Sequence, residues 1–281
     1  MTNPAIITRR EAEMLLKAQK KGFAEVSLDL GKSKERVEIR YGMAVLRGQK
    51  VALSEIEKTK DNTCYVASEN GLEAVETFSE DTNIYYKLRP TKDWPTIMLS
   101  SVPMHRFMKV TPKRSAQLMV KQVSPIKGLV LDTCCGLGYT AILAAEQRGC
   151  VGVETFERDE NVLALAKYNS WSKPLFENTP KIRLHNADVG EEIRKLGKET
   201  FNCIIHDPPT VNFAPELYEA PFYHHLFRVL KSRGRLYHYA PAPGKTKGKE
   251  YWPSIIRKLT EAGFVGARYD VASSGVVARK K

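Results

Sequence analysis

The sequence predicts an α/β protein, a doubly wound sheet of seven strands whose last pair is antiparallel, preceded by a small, mainly β N-terminal domain. Three observations carry this. Residues 128–145, GLVLDTCCGLGYTAILAA, read as a buried strand, a glycine turn and a helix. From Met104 onward strand and helix patterns alternate, whereas before it short β-rich runs are separated only by turn residues.

The chain opens with a helix expected over Arg9 to Lys20, with Thr8 as N-cap, Met14, Leu15 and Ala18 as its apolar stripe and Gly22 as its stop. Strand-like runs follow at 24–30, 36–41, 44–46, 50–53, 64–67, 74–78, 83–88 and 96–99, which places a domain boundary near 103. Residues 1–103 are expected to support or present substrate, and 104–281 to form the catalytic domain. The second domain begins with a basic connector and a helix from Thr111 and Pro112. Its expected strands are 129–132, 151–156, 181–185, 203–206, 235–239, 266–270 and 276–278. Helices are expected around Ala141 and over 161–170, 190–196, 217–230 and 254–262.

Composition narrows the classes. No apolar run approaches the roughly 18 residues of a membrane span, and the N-terminus lacks the apolar core of a signal peptide, so a cytoplasmic chain with no membrane partner is expected. Five cysteines without a C-x-x-C pair speak against a disulfide framework or a metal site. The formal charge is +12, and residues 228–258 hold nine basic side chains against Glu250 alone. A polyanionic partner suits that excess. Within it, Lys245, Lys247 and Lys249 stand on a glycine-spaced loop suited to tracking phosphates.

Four segments carry chemistry. In the glycine turn, Asp132, Cys134, Gly136 and Gly138 let the backbone approach a ligand at the start of a helix. Glu157 lies 25 residues after Asp132 at the next strand end, where a carboxylate accepts both ribose hydroxyls, although a helix-start charge looks the same in sequence. Asp188 follows the third strand; it suits the amino group of an adenine, with Ala187 and Val189 beside the ring, or serves only as a helix cap. After the fourth strand comes Asp207, Pro208, Pro209, Thr210. Two prolines stiffen this turn and remove two donors, leaving carbonyls and a carboxylate as acceptors for a planar amine.

These four segments resemble class I S-adenosylmethionine (SAM) methyltransferases, with Cys134 where glycine is usual, and D-P-P-T resembles the motif of their amino-nitrogen branch. M-H-R at 104–106, DTCCGLGYTAI, NSWS at 169–172, HDPPT, ELY at 216–218, RVLKSRGRLYHY and APAPGKTKGK together resemble an archaeal methyltransferase family that includes ribosomal RNA cytidine N4 (dimethyl) methyltransferases. The resemblance covers residues 104–281 and implies a Rossmann-like fold, SAM as cofactor, ribosomal RNA or a ribosomal subunit precursor as partner, and transfer to an exocyclic base amine. Tyr139, Thr140, Arg158 and Val189 join the cofactor candidates, and His105, Arg106 and Thr210 the substrate candidates. Thr210 has no ring to stack on a base, so Phe213 or Tyr223 is expected to supply one.

The alternatives are guanine N2 or adenine N6 methylation of tRNA or rRNA, methyl transfer to protein or small amines, aminopropyl transfer, carbon-5 chemistry through Cys135 or Cys203, and a non-enzymatic RNA-binding module.

Overall fold

The strand candidates of the second half assemble into one seven-stranded sheet in the computed structural model, which describes residues 4–177, 181–240 and 251–281. The chain forms two compact units, one comprising Met1–Lys113 with Asn161–Lys173, the other Arg114–Glu160 with Pro174–Lys281.

The sheet strands are β1 (Gly128–Asp132), β2 (Cys150–Phe156), β3 (Ile182–His185), β4 (Phe201–His206), β5 (Leu230–Tyr239), β6 (Val265–Asp270) and β7 (Gly275–Arg279), in the order β3-β2-β1-β4-β5-β7-β6. The first five run parallel, and β7 is antiparallel to both β5 and β6. The helices are α1 (Pro112–Val123), α2 (Tyr139–Ala145), α3 (Glu160–Ala166), α4 (Val189–Glu192), α5 (Ala220–Val229) and α6 (Trp252–Glu261).

Both faces of the central strands are covered, which is why they read as continuous apolar runs. Leu131, Ile204, Leu236 and Ala278 pack in one core with residues of α5 and α6. Their neighbours Val130, Cys203, Ile205, Tyr237 and Val277 point the other way, into a core with Met119, Val120 and Val123 of α1 and Ala141, Ile142 and Ala144 of α2. Residues 203–205 of β4 alternate between the two faces, as a pleat requires.

Several helices are shorter than the periodicity predicts. The turn after α3 arrives early because the Asn169 side chain donates to Ser172 Oγ and accepts from the Trp171 N–H, closing a local loop instead of extending the helix. The helix expected over 217–230 is broken into a 3₁₀ turn, Pro215–Tyr218, and α5, because Glu219 is extended and Pro221 lies in the first turn of α5. Gly138 sits at φ 76°, and a Cβ there would lie 2.4 Å from Leu175 Cδ1, so the turn before α2 requires glycine.

The first unit is β-rich. Thr8 and Glu11 form a capping box on the helix Arg9–Lys17. One antiparallel sheet runs in the order Phe23–Val26, Glu35–Arg40, Met43–Leu46, Gln49–Ala52, and a second in the order Val102–Pro103, Thr96–Leu99, Ile84–Arg89, Glu76–Ser79. The strand expected over 74–78 is divided at Val75, and the two-residue strands Ile6–Ile7 and Val102–Pro103 are too short to show a period. Within this unit Trp171 packs 5.2 Å from Trp94, ring centroid to ring centroid, and donates to the Leu30 carbonyl at 3.0 Å. Among the described residues no helix is long and apolar enough to cross a membrane.

Candidate active site

The cofactor candidates of the second unit converge at the carboxyl ends of β1, β2 and β3, the edge at which open α/β sheets bind ligands. Register brings this about: β1 and β4 pair with Asp132 opposite Ile205, so Thr133 and His206 leave the sheet side by side.

Asp132 has no exposed surface and accepts from Thr140 Oγ1 at 2.8 Å and Thr155 Oγ1 at 2.6 Å. Burial outweighs both donors and pushes its carboxyl up to about 7. The folded chain therefore holds a proton that the unfolded chain has lost between about pH 4 and 7, and stability falls as pH rises through that window. Asp132→Asn is expected to flatten this slope, measured as urea midpoints between pH 5 and 8; an unchanged slope would assign it to other groups.

Glu157 is held at the end of β2. Its Oε2 accepts from the Gly136 N–H at 2.8 Å and its Oε1 from the Asp159 N–H at 3.0 Å, and burial raises its pKa. Two carboxylate oxygens have about four acceptor positions, so capacity remains for a ribose diol, and the site fits a nucleoside cofactor. Asp188 caps α4 through Oδ1, which accepts from the Gly190 N–H at 2.7 Å, while Oδ2 receives Arg158 at 3.1 Å. The same guanidinium reaches Glu216 at 3.1 Å and the Phe213 carbonyl at 3.0 Å, linking the loop after β3 to the segment after D-P-P-T. Tyr139 and Val189 are buried.

Beside the glycine turn, at the end of the neighbouring strand β4, is the D-P-P-T turn. The Asp207 charge acts on both the Cys134 thiol and the Tyr218 phenol, raising the pKa of each beyond what burial does. The Tyr218 hydroxyl donates to the Pro209 carbonyl at 2.8 Å and holds the turn. Thr210 and Phe213 are exposed, whereas Tyr223 has no exposed surface and bonds His238 at 2.9 Å. Tyr223 is thus a core residue, and between the two expected rings Phe213 is the one with surface to offer. Cys135 and Cys203 are buried with raised thiol pKa values, and Cys203 donates to the Val123 carbonyl of α1, so neither is set up as a thiolate nucleophile.

His105 and Arg106 belong to the first unit, where Thr96 Oγ1 lies 3.0 Å from His105 Nδ1 and burial lowers that imidazole to about 4. Lys245, Lys247 and Lys249 lie outside the described residues. Among the described residues no group of three or more His, Cys, Asp or Glu is placed to hold a metal ion. Thr133, Thr155, Tyr218, His206 and His238 also take part in the hydrogen bonds around these turns, beyond the residues expected from the sequence. For His206 the signal was a polar residue ending an otherwise apolar strand, C-I-I-H.

Residues 107–241 match the methyltransferase small domain family. With this sheet order and site, the chain is a SAM-related enzyme of the class I methyltransferase fold, and its cofactor is S-adenosyl-L-methionine. It belongs to the family of the uncharacterized protein MJ1233 of Methanocaldococcus jannaschii, with which it is 38% identical over 283 residues, covering 98% of this chain and 95% of that one. Polyamine aminopropyltransferase 2 of Streptomyces coelicolor is 27% identical over 143 residues, 49% of this chain and 26% of that protein. A spermidine synthase in complex with the transition state analogue AdoDATO shares the fold, with a TM-score of 0.60 at 19% identity and 73% coverage of each chain.

Proposed function

We propose that the protein is an RNA methyltransferase acting on an exocyclic base amine, with N4 of cytidine in ribosomal RNA as the substrate and one or two methyl additions per base. The observation that carries this reading is the D-P-P-T turn at the end of β4, the strand next to the one that leads into the glycine turn, with Asp207 electrostatically in reach of Cys134. The cofactor supplies an electrophilic methyl group on sulfur; the chain's own residues hold the amine. Asp207 and the Pro208 carbonyl are the acceptors assigned to it, the Pro209 carbonyl being engaged by Tyr218. Accepting both N–H bonds turns the nitrogen lone pair out of conjugation with the ring and stabilises the positive charge that develops on transfer. Phe213 is the ring assigned to the base, and the N-terminal part of the first unit, with His105 and Arg106 in it, is assigned to RNA presentation.

The second reading is aminopropyl transfer, favoured by the fold shared with spermidine synthase. Its diamine substrates are cations, whereas the basic run over 228–258 attracts polyanions. The deciding experiment incubates the protein with methyl-labelled SAM and ribosomal RNA from a strain lacking the gene, then weighs the digested nucleosides. Methylated cytidine is expected. Unlabelled RNA, together with transfer to a diamine of label placed in the aminopropyl group of decarboxylated SAM, would overturn the RNA reading.

The RNA reading also predicts that replacing Lys245, Lys247 and Lys249 together by glutamine lowers the slope of log affinity against log salt by roughly two to three while SAM binding persists. An unchanged slope would place the RNA elsewhere.

A further inference from the structure

Behind the D-P-P-T turn runs a polar chain that the proposed chemistry leaves unused. His206, the last residue of β4, and His238 of β5 are cross-strand partners without exposed surface. His206 Nε2 lies 3.2 Å from the Leu217 carbonyl oxygen, and its Nδ1 lies 2.6 Å from Thr133 Oγ1. A carbonyl only accepts, so Nε2 carries the proton and Nδ1 accepts from the Thr133 hydroxyl. His238 is set the opposite way, with Nδ1 donating to the Tyr239 carbonyl at 2.7 Å and Nε2 accepting from Tyr223 at 2.9 Å. The two rings meet edge to face at 4.5 Å, and Phe222 packs against His206 at 5.1 Å. Burial and the neighbouring His238 keep the His206 pKa well below the ordinary imidazole range, so the ring stays neutral and its tautomer fixed.

The partners of His206 belong to two different segments of the site. Thr133 stands between Asp132 and Cys134 in the glycine turn. Leu217 precedes Tyr218, whose hydroxyl holds the Pro209 carbonyl. The backbone of His206 leads directly into Asp207, while its side chain grips the segment that returns after the turn. An apolar residue would fill the same volume but would leave buried polar groups at both ends without this partner.

We propose that His206 is the positioning residue of the acceptor turn: its ring joins Thr133 in the glycine turn to the Leu217 carbonyl behind D-P-P-T and so fixes Asp207 relative to the cofactor loop. This rests on the reading of Asp207 as the group that holds the acceptor amine.

Three variants separate the two links. His206→Phe keeps the ring and removes both nitrogens, His206→Gln restores a donor near the Nε2 position, and His206→Asn restores an acceptor near Nδ1. The measurements are SAM affinity by calorimetry, hydrogen exchange of peptides covering 207–219, and single-turnover transfer with its RNA concentration dependence. His206→Phe is expected to exchange about tenfold or more faster in that segment. It should transfer about tenfold or more slowly at unchanged KM for RNA, with SAM affinity within about threefold of the parent. His206→Gln should recover part of both losses and His206→Asn less, because the Leu217 link is the one that holds the returning segment. Should His206→Phe fail to fold, Thr133→Val cuts the same chain at its other end and is expected to slow transfer in the same direction but by less, since the Leu217 link survives.

Parent-like exchange and transfer in His206→Phe, or in Thr133→Val in its place, would overturn the proposal. So would a loss confined to global melting temperature with no local exchange change and no rescue by glutamine. If the parent transfers nothing to RNA, the exchange comparison still decides: faster local exchange rescued by glutamine supports the positioning role, and only the function reading falls.

Discussion

Asp207→Ala is expected to lower the single-turnover transfer rate by about 100-fold or more, the cost of deleting one preorganised group that meets developing charge. The hydrogen bonds to the amine strengthen only as its nitrogen becomes positive, so affinity for SAM and for RNA should change far less than the rate. Asp207→Asn keeps an acceptor oxygen and should retain more activity than alanine. Single-turnover kinetics on one RNA, with both binding constants measured separately, check this. A parent-like rate in Asp207→Ala would remove the amine-holding role. Abolition of transfer by Cys203→Ala or Cys135→Ala instead would put carbon-5 chemistry in its place, against the buried thiols and their raised pKa values.

Glu157→Ala is expected to weaken SAM binding by roughly 100-fold, since two hydrogen bonds to a charged acceptor, at about 1.5 kcal/mol or more each, are lost together. The variant also strips the Gly136 and Asp159 N–H groups of their acceptor, so the glycine turn loses one of its anchors. Glu157→Gln keeps one acceptor oxygen and should lie between the two. Titration calorimetry with SAM checks the series, and unchanged affinity in Glu157→Ala would take Glu157 out of the cofactor site.

The doubly wound sheet was legible because its strands advertise themselves. V-L-D and C-I-I-H are apolar runs that end in a polar residue at the edge where ligands bind, and each is followed by a turn or helix signal. The antiparallel last pair followed from two β-rich runs with no helix between them. Helix ends were read less well, since the stop after α3 depends on the Asn169 side chain closing a loop with Ser172, and the break before α5 depends on an extended Glu219. Both are local hydrogen-bonding and backbone choices that periodicity does not register. Tyr223 illustrates the limit at the site: an aromatic residue near a motif looks the same in sequence whether it faces a ligand or, as here, the core.

The sequence by itself determined the strand–turn–helix order, the glycine turn, the acidic residues at successive strand ends and the proline-stiffened D-P-P-T turn, because each is written in contiguous residues whose backbone preferences are local. Only the tertiary structure decided which groups meet. Asp132 found two threonine hydroxyls, one of them from a neighbouring strand, and Arg158 found partners 30 and 58 positions away in Asp188 and Glu216. Thr133 and His206, 73 residues apart, became hydrogen-bonded neighbours. The physical reason is strand register. Pairing Asp132 with Ile205 juxtaposes the residues that follow them, and register is set by packing the two faces of the sheet as a whole, which no single segment encodes.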